Sequence, residues 1–428
     1  TGAQARALRE IYADMRSEQR MNRMLQGDVG SGKTAVAVFA MLLAVEGGRQ
    51  AVLMAPTEIL AEQHARGIRQ LAEPIGVDVQ LLTGRMGAAE RRDALDAIQS
   101  GRAPIVVGTH ALIQEGVEYD ALGLVVIDEQ HRFGVKQRMA LLERDDARPD
   151  VLVMSATPIP RSLAMALYGD LDISVLDEMP PGRTPVTTAL RAPDARDGVY
   201  AFIHDQIEAG RQAYIVYPLV DESEKIDLLS AKQEYERLRS GPLADVRVGL
   251  LHGQLAGGEK DQVMRDFAAG KIDVLVATTV VEVGIDVPNA TVMVIEHAER
   301  FGLSQLHQLR GRVGRGAAES HCVLIAEPGD GALERLRIFR DTSDGFEIAR
   351  ADLRIRGQGD LFGSRQHGKD AMLRFADLLV DEDLLVVAQR DARDLVHADP
   401  ELTRPEHQRV REHLVARYRD RLALYGVG

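Results

Sequence analysis

The sequence predicts an α/β protein with two tandem lobes, each built on a parallel β-sheet, followed by a helical carboxyl-terminal module. The length of 428 residues corresponds to two or three domains at roughly 150 residues each. Short runs rich in Val, Ile and Leu alternate with longer helical patterns, which is the order of βαβ units. A proline-rich segment at 179–185 interrupts this alternation, which then resumes. These observations favour two lobes over one long sheet.

The strand candidates of the first lobe are compact apolar runs, as expected for strands buried on both faces of a parallel sheet. They lie at 24–26, 51–55, 79–83, 105–108, 124–127 and 151–155. Helical windows separate them at 34–46, 60–71 and 88–100. Strands and helices in this order predict the first lobe.

A linker is predicted at 179–185, because three prolines in seven residues suit neither a helix interior nor a central strand. The alternation returns with strand candidates at 214–217, 246–251, 274–277, 292–295 and 322–325. After Pro328 the sequence becomes Arg-rich and helical. We therefore divide the chain into residues 1–180, 181–330 and 331–428.

Composition excludes several classes of protein. An apolar content of 45% with 27% charged residues is typical of globular chains, not of disordered or fibrous ones. The net charge of −13 excludes a uniformly basic coat, so a polyanion has to bind a local basic patch. One cysteine, Cys322, cannot form an internal disulfide or a multi-cysteine zinc site. His131, His252 and His297 follow separate strands, so we expect no transition-metal site.

The sequence also carries signals about location. Its longest apolar stretch, 35–45, is about half of the roughly 20 residues that a membrane span needs. No signal peptide opens the sequence, and its first residue is Thr1 rather than Met. We expect a fragment of a cytoplasmic protein that does not associate with a membrane.

A phosphate-binding loop is predicted at the end of the first strand. The pattern G-x-x-x-x-G-K-[ST] is matched by Gly27, Asp28, Val29, Gly30, Ser31, Gly32, Lys33 and Thr34. Its glycines let backbone N–H groups converge on phosphate oxygens at a helix N-terminus. We expect Lys33 to reach the β- and γ-phosphates and the Thr34 hydroxyl to bind Mg²⁺. The alternative is an accidental glycine-rich turn.

Polar side chains follow other strands of the same lobe. Asp128 and Glu129 end the strand that begins at 122, and carboxylates at the carboxyl end of a parallel strand face the ligand crevice. Asp128 can hold Mg²⁺ through water, and Glu129 can orient and deprotonate the attacking water. Ser155 and Thr157 supply hydroxyls at the end of a neighbouring strand. The alternative for the carboxylates is an acidic strand cap at the surface.

Phosphoryl transfer also needs positive charge near the γ-phosphate, where an arginine is worth roughly 10³–10⁵ in rate. The second lobe contains QLRGRVGRG at 308–316, and four arginines with no acidic residue lie between Arg300 and Gly316. The glycine spacing favours Arg312 and Arg315 as side chains that project from a tight loop into an interface. A solvated basic face or a DNA-phosphate patch is the alternative, and it suits Arg310.

In this order, GDVGSGKT, APTEILAEQH, GTHAL, DEQH, SAT, TTVVEVGIDVP and QLRGRVGRG resemble the motifs of superfamily 2 helicases. Longer segments, DEQHRFGVKQR, SATPIPRSLAMALYGDLD, PPGR and IEHAERFGLSQLHQLRGRVGRG, closely resemble RecG, a family of bacterial ATP-dependent DNA helicases. The resemblance runs from Thr1 to about residue 368. It implies two RecA-like lobes with ATP and Mg²⁺ between them and DNA across both. It also implies a bacterial protein of the cytoplasm that associates with the nucleoid.

The resemblance also implies roles for individual residues. Gln4 matches the glutamine that reads adenine. The ATP and Mg²⁺ residues are matched by Lys33, Thr34, Asp128 and Glu129, and the γ-phosphate-sensing residues by Gln308, Arg312 and Arg315. The family's amino-terminal wedge domain, which grips the branch point, lies outside this sequence, so fork recognition is implied by the family alone.

A motor that moves over any sequence is expected to grip phosphates rather than bases. Loops just past strand ends supply hydroxyls and backbone amides for this purpose. The candidates for DNA contact or coupling in these loops are Thr57, Thr83, Thr109, Ser155, Thr157, His252 and Thr278. For each of them, capping of its own loop is an equally weighted alternative.

Residues 345–368 resemble the hairpin motif that follows the second lobe in RecG and in its transcription-coupling relative, where it links nucleotide state to translocation. The polar positions expected to act there are Arg354, Arg356, Gln358, Arg365 and Gln366. Arginines that merely pair with Asp352 and Asp360 are the structural alternative.

The sequence therefore predicts a monomeric DNA-dependent ATPase that remodels stalled forks and Holliday junctions in recombination and repair. Its expected partners are duplex or branched DNA, ATP and single-stranded DNA-binding protein. Two alternatives stay open: the motor of a transcription-repair coupling translocase, and a nucleotide-gated DNA-binding scaffold without turnover. Intact Lys33, Glu129 and Arg315 argue against the scaffold.

Overall fold

The computed structural model describes residues 1–114, 116–129, 149–155, 171–181, 184–218, 224–278, 286–316, 318–327, 329–356 and 380–425. Several positions singled out in the sequence lie outside these ranges, among them His131, Thr157, Gln358, Asp360, Arg365 and Gln366. The side chain of Arg356 is likewise outside the described part.

The first lobe contains a seven-stranded parallel sheet. Its strands are β1 (Asn22–Gly27), β2 (Gln50–Met54), β3 (Val79–Leu82), β4 (Ile105–Gly108), β5 (Leu122–Asp128), β6 (Asp150–Ser155) and β7 (Asp172–Leu176). They lie in the order β3-β4-β2-β5-β6-β1-β7, and every neighbouring pair is parallel. This order brings the carboxyl ends of β1, β5 and β6 side by side at one edge.

Helices cover both faces of this sheet. They are α1 (Gly2–Met15), α2 (Lys33–Glu46), α3 (Glu58–Ala72) and α4 (Ala88–Gln99). Apolar residues of α1, α2 and α3 form one core with the strands, and α4 contributes to a second core on the opposite face. Because both faces are buried, the inner strands consist of nearly continuous apolar runs.

The second lobe repeats the architecture with six parallel strands. These are β8 (Val186–Arg191), β9 (Gln212–Val216), β10 (Val248–Leu251), β11 (Val274–Ala277), β12 (Ala290–Glu296) and β13 (Ser320–Ile325), in the order β10-β11-β9-β12-β13-β8. Its helices are α5 (Arg196–Glu208), α6 (Glu224–Ser240), α7 (Gly257–Ala268) and α8 (Leu303–Arg310). Here too, two apolar cores cover the two faces of the sheet.

In the described part of the chain beyond the second sheet there are four α-helices: α9 (Asp330–Asp341), α10 (Gly345–Arg356), α11 (Glu382–Ala398) and α12 (Gln408–Tyr425). Leu336, Phe339 and Ile348 of α9 and α10 are buried in the core of the second lobe. In contrast, α11 contacts the first lobe, where His397 lies 3.1 Å from the Gln19 amide nitrogen and Arg393 pairs with Asp172.

The predicted fold class is confirmed, and the expected strands and helices agree with the observed ones to within a few residues. Strands β7 and β8, which lie on either side of the proline-rich linker, were not predicted from the sequence. Both are edge strands of their sheets, and β8, with the sequence VTTALR, buries none of its residues fully. An edge strand lacks the continuous apolar run by which the inner strands were recognised.

No helix in the described ranges is long and apolar enough to cross a membrane.

Cys322 offers a direct test of the packing of the second lobe. It lies in β13 with no exposed surface, and burial raises the pKa of its thiol to about 12. At pH 8 the native thiol should react with Ellman's reagent about 10³-fold more slowly than the urea-unfolded chain, because only the thiolate attacks. Since it is the one cysteine of the chain, the absorbance change reports this lobe alone. Rapid labelling of the native protein would contradict the packing described for β13.

Candidate nucleotide site between the lobes

The loop between β1 and α2 has the backbone geometry of a phosphate cradle. Gly32, the residue before α2, adopts φ = +88°, and Gly30 adopts φ = +79°. L-residues with a side chain rarely accept this left-handed region, so the two glycines shape the turn. The Lys33 ammonium donates hydrogen bonds to the carbonyl oxygens of Gly27, at 2.8 Å, and Asp28, at 2.9 Å. The lysine thus lies folded over the loop.

Gln4 contacts this loop from α1. Its side-chain nitrogen donates to the carbonyl oxygen of Ser31 at 3.2 Å. A Cβ atom on Gly32 would lie only 2.1 Å from the same nitrogen, so a larger residue there would displace Gln4. Gln4, the residue predicted to read adenine, therefore packs directly against the phosphate loop.

The carboxylates predicted to act on Mg²⁺ and water lie at the end of β5. Strand β6 lies between β5 and β1, the strand that leads into the phosphate loop. Asp128 Oδ2 accepts a hydrogen bond from His64 Nε2 at 2.8 Å. Glu129 adopts φ = +53°, and its backbone N–H donates to the carbonyl oxygen of Met154 at 3.1 Å. A non-glycine residue in this region is held there by its surroundings, and such positions cluster at functional sites.

The charge of Lys33 connects these groups. Burial is the largest influence and lowers the pKa of Lys33 to about 8. The negative charges of Asp128, Glu129 and Asp28 act against this shift, and the positive charge of Arg315 adds to it. Arg315 belongs to the second lobe, so groups from both lobes act on one ammonium.

A buried contact joins the loop to the second lobe. His307 Nε2 lies 2.5 Å from Asp28 Oδ1, and both residues are less than 10% exposed. Asp28 Oδ1 also accepts the N–H of Val29 at 2.6 Å. Burial alone would raise the pKa of Asp28, but the hydrogen bonds from His307 and Val29 and the charge of Lys33 lower it. The carboxylate is therefore held ionised inside the interface.

Arg310 fixes the orientation of the His307 ring from the side opposite Asp28. Its Nη2 lies 3.3 Å from His307 Nδ1, and arginine can only donate, so we assign the imidazole proton to Nε2, facing Asp28. The Nη1 of Arg310 donates at 2.9 Å to the carbonyl oxygens of Phe339 and Thr342, and its guanidinium lies 4.2 Å from the Phe339 ring centre. The interpretation of Arg310 as an exposed DNA patch is wrong, because these partners bury it inside the second lobe.

The predicted γ-phosphate sensors lie on and after α8. Gln308 is half-buried in α8, and Arg312 is 6% exposed. Arg315 Nε donates to the carbonyl oxygen of Gly311 at 3.1 Å, and its Nη1 pairs with Asp286 Oδ1 at 3.4 Å. Here the lobes approach so closely that a Cβ on Gly311 would lie 2.9 Å from the Cβ of Val29. A glycine at 311 permits this contact.

A second inter-lobe cleft lies on the side of the predicted DNA contacts. A cavity of about 420 Å³ is lined by Thr57 and Thr109 of the first lobe and by Leu251 and Lys260 of the second. Arg85 also lines this cavity and pairs with Glu58 at 3.1 Å and, across the cleft, with Asp261 at 2.5 Å.

The predicted DNA contacts have different local roles. Thr57 caps α3 by accepting the N–H of Leu60 at 3.4 Å, which is the loop-capping alternative for that residue. Thr83, Thr109, Ser155, His252 and Thr278 are nearly buried at strand ends. Within the described residues, Thr109 Oγ1, Thr278 Oγ1 and His252 Nδ1 have no hydrogen-bond partner. Arg354 is exposed on α10. DNA contact by these residues stays a prediction.

Sequence reasoning missed His64 and His307, the two histidines that hold the site's aspartates. Each belongs to a motif that was quoted, APTEILAEQH and QLHQLRGRVGRG, but a lone histidine in a helix has no pattern of its own. Their partners lie 64 and 279 residues away in sequence. Only the folded chain brings them together.

The donor set fits Mg²⁺. This ion prefers oxygen ligands and usually binds one or two carboxylates together with substrate phosphates. Thr34 and Asp128 offer a hydroxyl and a carboxylate of that kind at the loop and at the end of β5. In the ranges that the structure covers, no group of three or more His, Cys, Asp or Glu residues is placed to hold a metal by itself.

Three family models match the chain in order. Residues 1–166 match DEAD/DEAH box helicase, residues 197–317 match Helicase conserved C-terminal domain, and residues 342–420 match ATP-dependent DNA helicase RecG, domain 3, C-terminal. The third model begins within the helices that pack on the second lobe.

Curated relatives include two proteins described as ATP-dependent DNA helicase RecG. The one from Bacillus subtilis is 51% identical over 416 residues, which is 97% of this chain and 61% of the relative. The one from Thermotoga maritima is 52% identical over 396 residues, which is 92% of this chain and 50% of the relative. The chain thus spans between half and about three-fifths of the length of these relatives.

Among solved structures, "Structure of RecG bound to three-way DNA junction" matches with a TM-score of 0.76 and 49% identity, covering 90% of this chain and 50% of that one. "S. cerevisiae Dbp5 bound to RNA and ADP BeF3" matches with a TM-score of 0.57 and 19% identity, covering 91% and 92%. The second likeness supports the two-lobed fold alone.

The contact between Asp28 and His307 should be measurable as a coupling energy. Removing the donor with His307→Leu leaves a buried carboxylate with one fewer hydrogen bond, whereas the neutral amide of Asp28→Asn depends less on that donor. A double-mutant cycle of unfolding free energies should give a coupling of about 1–3 kcal/mol. His204→Leu, which removes a histidine bond to the Pro242 carbonyl oxygen elsewhere in the second lobe, is the matched control and should be additive with Asp28→Asn. Additivity of the 28 and 307 changes would contradict the assignment.

Proposed function

Because this chain belongs to the RecG family, of which it carries the helicase motor portion, we propose that it is a DNA-dependent ATPase that remodels branched DNA in recombination and repair. The observation that supports this most directly is the convergence of charges on Lys33. Carboxylates of the first lobe and an arginine of the second act on the one ammonium that a triphosphate would contact. Such an arrangement suits phosphoryl transfer to water at a site that lies between the two lobes.

ATP would bind with its phosphates on the loop at 27–34 and its adenine near Gln4. The Lys33 ammonium would then leave the carbonyl oxygens of Gly27 and Asp28 for the β- and γ-phosphate oxygens. Mg²⁺, held by Thr34 and Asp128, would neutralise phosphate charge. These assignments rest on the position of the loop and on oxygen-donor chemistry.

Hydrolysis needs an oriented water and positive charge on the far side of the phosphate. Glu129 would take a proton from the attacking water while the water oxygen bonds to the γ-phosphorus. The bond between the γ-phosphorus and the bridging oxygen would break, giving ADP and phosphate. Arg312 and Arg315, with Gln308 beside them, would stabilise the charge that develops on the γ-phosphoryl oxygens. Because these groups belong to the other lobe, hydrolysis depends on closure.

Movement would follow from reversible closure about the linker at 179–185. Two ion pairs that cross between the lobes are partly exposed, Arg85 with Asp261 and Arg265 with Glu62 at 3.6 Å, and such pairs contribute at most about 1 kcal/mol each. Once hydrolysis removes the bridging phosphate, these pairs would oppose separation only weakly, and the buried bond between His307 and Asp28 would be the main contact to break. DNA held alternately by Thr57 and Thr109 of one lobe and His252 and Thr278 of the other would advance by one step per cycle.

The DNA substrate is proposed from the relatives' descriptions and from the match to a junction-bound RecG structure. Residues 345–368, with Arg354, Arg356, Arg365 and Gln366, would couple the nucleotide state to duplex movement. Single-stranded DNA-binding protein is a further proposed partner. The division at 180 and 330 into two lobes and a coupling module is part of the same proposal.

DNA dependence of ATP hydrolysis tests this function. Steady-state turnover by the whole chain should rise when forked or duplex DNA is added, and Lys33→Ala should abolish it because the phosphates lose their cation. Lys271→Ala, at an exposed lysine that pairs with Asp266, is the matched control and should turn over as wild type. Activity that is absent with every DNA would favour a nucleotide-gated scaffold, and full turnover in Lys33→Ala would refute the loop assignment.

Arg315 should separate nucleotide binding from chemistry. Arg315→Ala is expected to keep ADP affinity within about threefold while turnover falls by roughly 10³ or more, because the arginine acts on transition-state charge. Single-turnover hydrolysis and ADP titration measure the two effects. Arg247→Ala, an exposed arginine paired with Asp273 in the same lobe, controls for loss of a surface charge. Unchanged turnover in Arg315→Ala would remove this residue from the site.

A further inference from the structure

Helix α3 contacts Asp128, the carboxylate proposed to hold Mg²⁺, through the side chain of His64, to which the proposed function gives no role. His64 Nε2 lies 2.8 Å from Asp128 Oδ2. The two side chains are only 12% and 14% exposed, so water competes little for this bond. The contact joins the middle of α3 to the end of β5.

The direction of the bond follows from its chemistry. An ionised carboxylate can only accept, so the imidazole donates from Nε2. The torsion that turns an aspartate carboxylate about its Cβ–Cγ bond is broad and roughly two-fold, so a partner is needed to fix it. With Oδ2 of Asp128 held by His64, Oδ1 is the oxygen left to face an ion or its water.

The neighbouring residue of α3 faces the second lobe. Successive helical residues project about 100° apart, so Gln63 and His64 point to different surroundings. Gln63 Oε1 accepts the N–H of Asp286 at 3.3 Å, and Asp286 Oδ1 pairs with Arg315 at 3.4 Å. One turn earlier, Ile59 is buried in the core of the second lobe.

We propose that His64 is a positioning residue for the ATPase site: it fixes the orientation in which Asp128 would receive Mg²⁺. It does so from a helix that packs in the core of the first lobe and contacts the second lobe through Gln63 and Ile59. The inference rests on the proposed function, in which Mg²⁺ with a nucleotide binds beside Lys33. Hydrogen-bond partners of metal-binding carboxylates are typically worth 10–100-fold in metal affinity. Loss of His64 should therefore weaken Mg²⁺ without removing the loop that binds phosphates.

The test measures Mg²⁺ dependence and not turnover alone. The whole chain is titrated with a fluorescent ADP derivative at increasing Mg²⁺, and the Mg²⁺ concentration at half-maximal tightening is recorded. His64→Leu, which has no donor, should need at least about tenfold more Mg²⁺, with Mg²⁺-free affinity unchanged. His64→Gln, whose amide nitrogen can occupy the position of Nε2, should return to within about threefold of wild type. His204→Leu, the matched histidine control, should not shift.

The outcomes distinguish this inference from the function on which it rests. Asp128→Asn serves as the reference for loss of the ion's carboxylate. If Asp128→Asn shifts the Mg²⁺ dependence and His64→Leu does not, His64 is a packing residue and the inference is overturned while the site stands. If Asp128→Asn leaves the dependence unchanged, the magnesium assignment itself fails, and the role of His64 with it.

A variant that does not fold is recognised by loss of Mg²⁺-free nucleotide binding. Should His64→Leu fail in this way, His64→Asn replaces it, because its amide is polar but too short to reach Asp128. A tenfold shift in His64→Asn supports the inference, and a wild-type Mg²⁺ dependence overturns it.

Discussion

A buried hydrogen bond between the phosphate loop and the second lobe sets the geometry of this molecule. The exposed ion pairs across the lobes are individually weak, so they do not define one arrangement. The bond from His307 to Asp28 is different, because breaking it would leave a buried carboxylate without that donor, at a high cost in free energy. Few other arrangements of the lobes would therefore be as stable. The bond places α8 against the loop, allows Gly311 to touch Val29, and so brings Arg315 within electrostatic range of Lys33.

The same arrangement leaves the Lys33 ammonium desolvated beside a second cation. Burial is the main reason why the pKa of Lys33 falls to about 8, the charge of Arg315 adds a smaller part, and the carboxylates of Asp128, Glu129 and Asp28 oppose the shift. Phosphate oxygens between the lysine and the arginine would compensate both cations at once. Nucleotide binding should therefore raise the pKa of Lys33 and favour the closed lobes, and loss of the γ-phosphate should weaken that preference. In the proposed function, these electrostatics would make closure of the lobes depend on the ligand.

Much of the fold could be predicted from the sequence, because inner strands of parallel sheets and the glycine-rich loop carry strong local patterns. Edge strand β8 could not, since its partly exposed residues mix Thr with apolar side chains. In the site, the loop and the ends of β5 and β6 could be placed because strand ends share an edge. The burial of Arg310 could not be foreseen, since its partners Phe339 and Thr342 come from a later helix pair and only the tertiary structure shows that they enclose it. The roles assigned to Gln308, Arg312 and Arg315 stay predictions.

Helix α3 gives the two clefts a common rigid element. Its first turn follows Thr57, which lines the cleft of the predicted DNA contacts, and His64 contacts the end of β5 two turns later. Seven residues of helix span about 10 Å, so both contacts lie on one short, stiff rod. Ile59 and Gln63 attach that rod to the second lobe. A rotation of the lobes that strains these attachments acts on both ends of the rod together, because a helix transmits displacement with little internal change. In the proposed function, coupling between the predicted DNA contacts and the nucleotide site would therefore need no long chain of side chains, only the persistence of α3 as a helix.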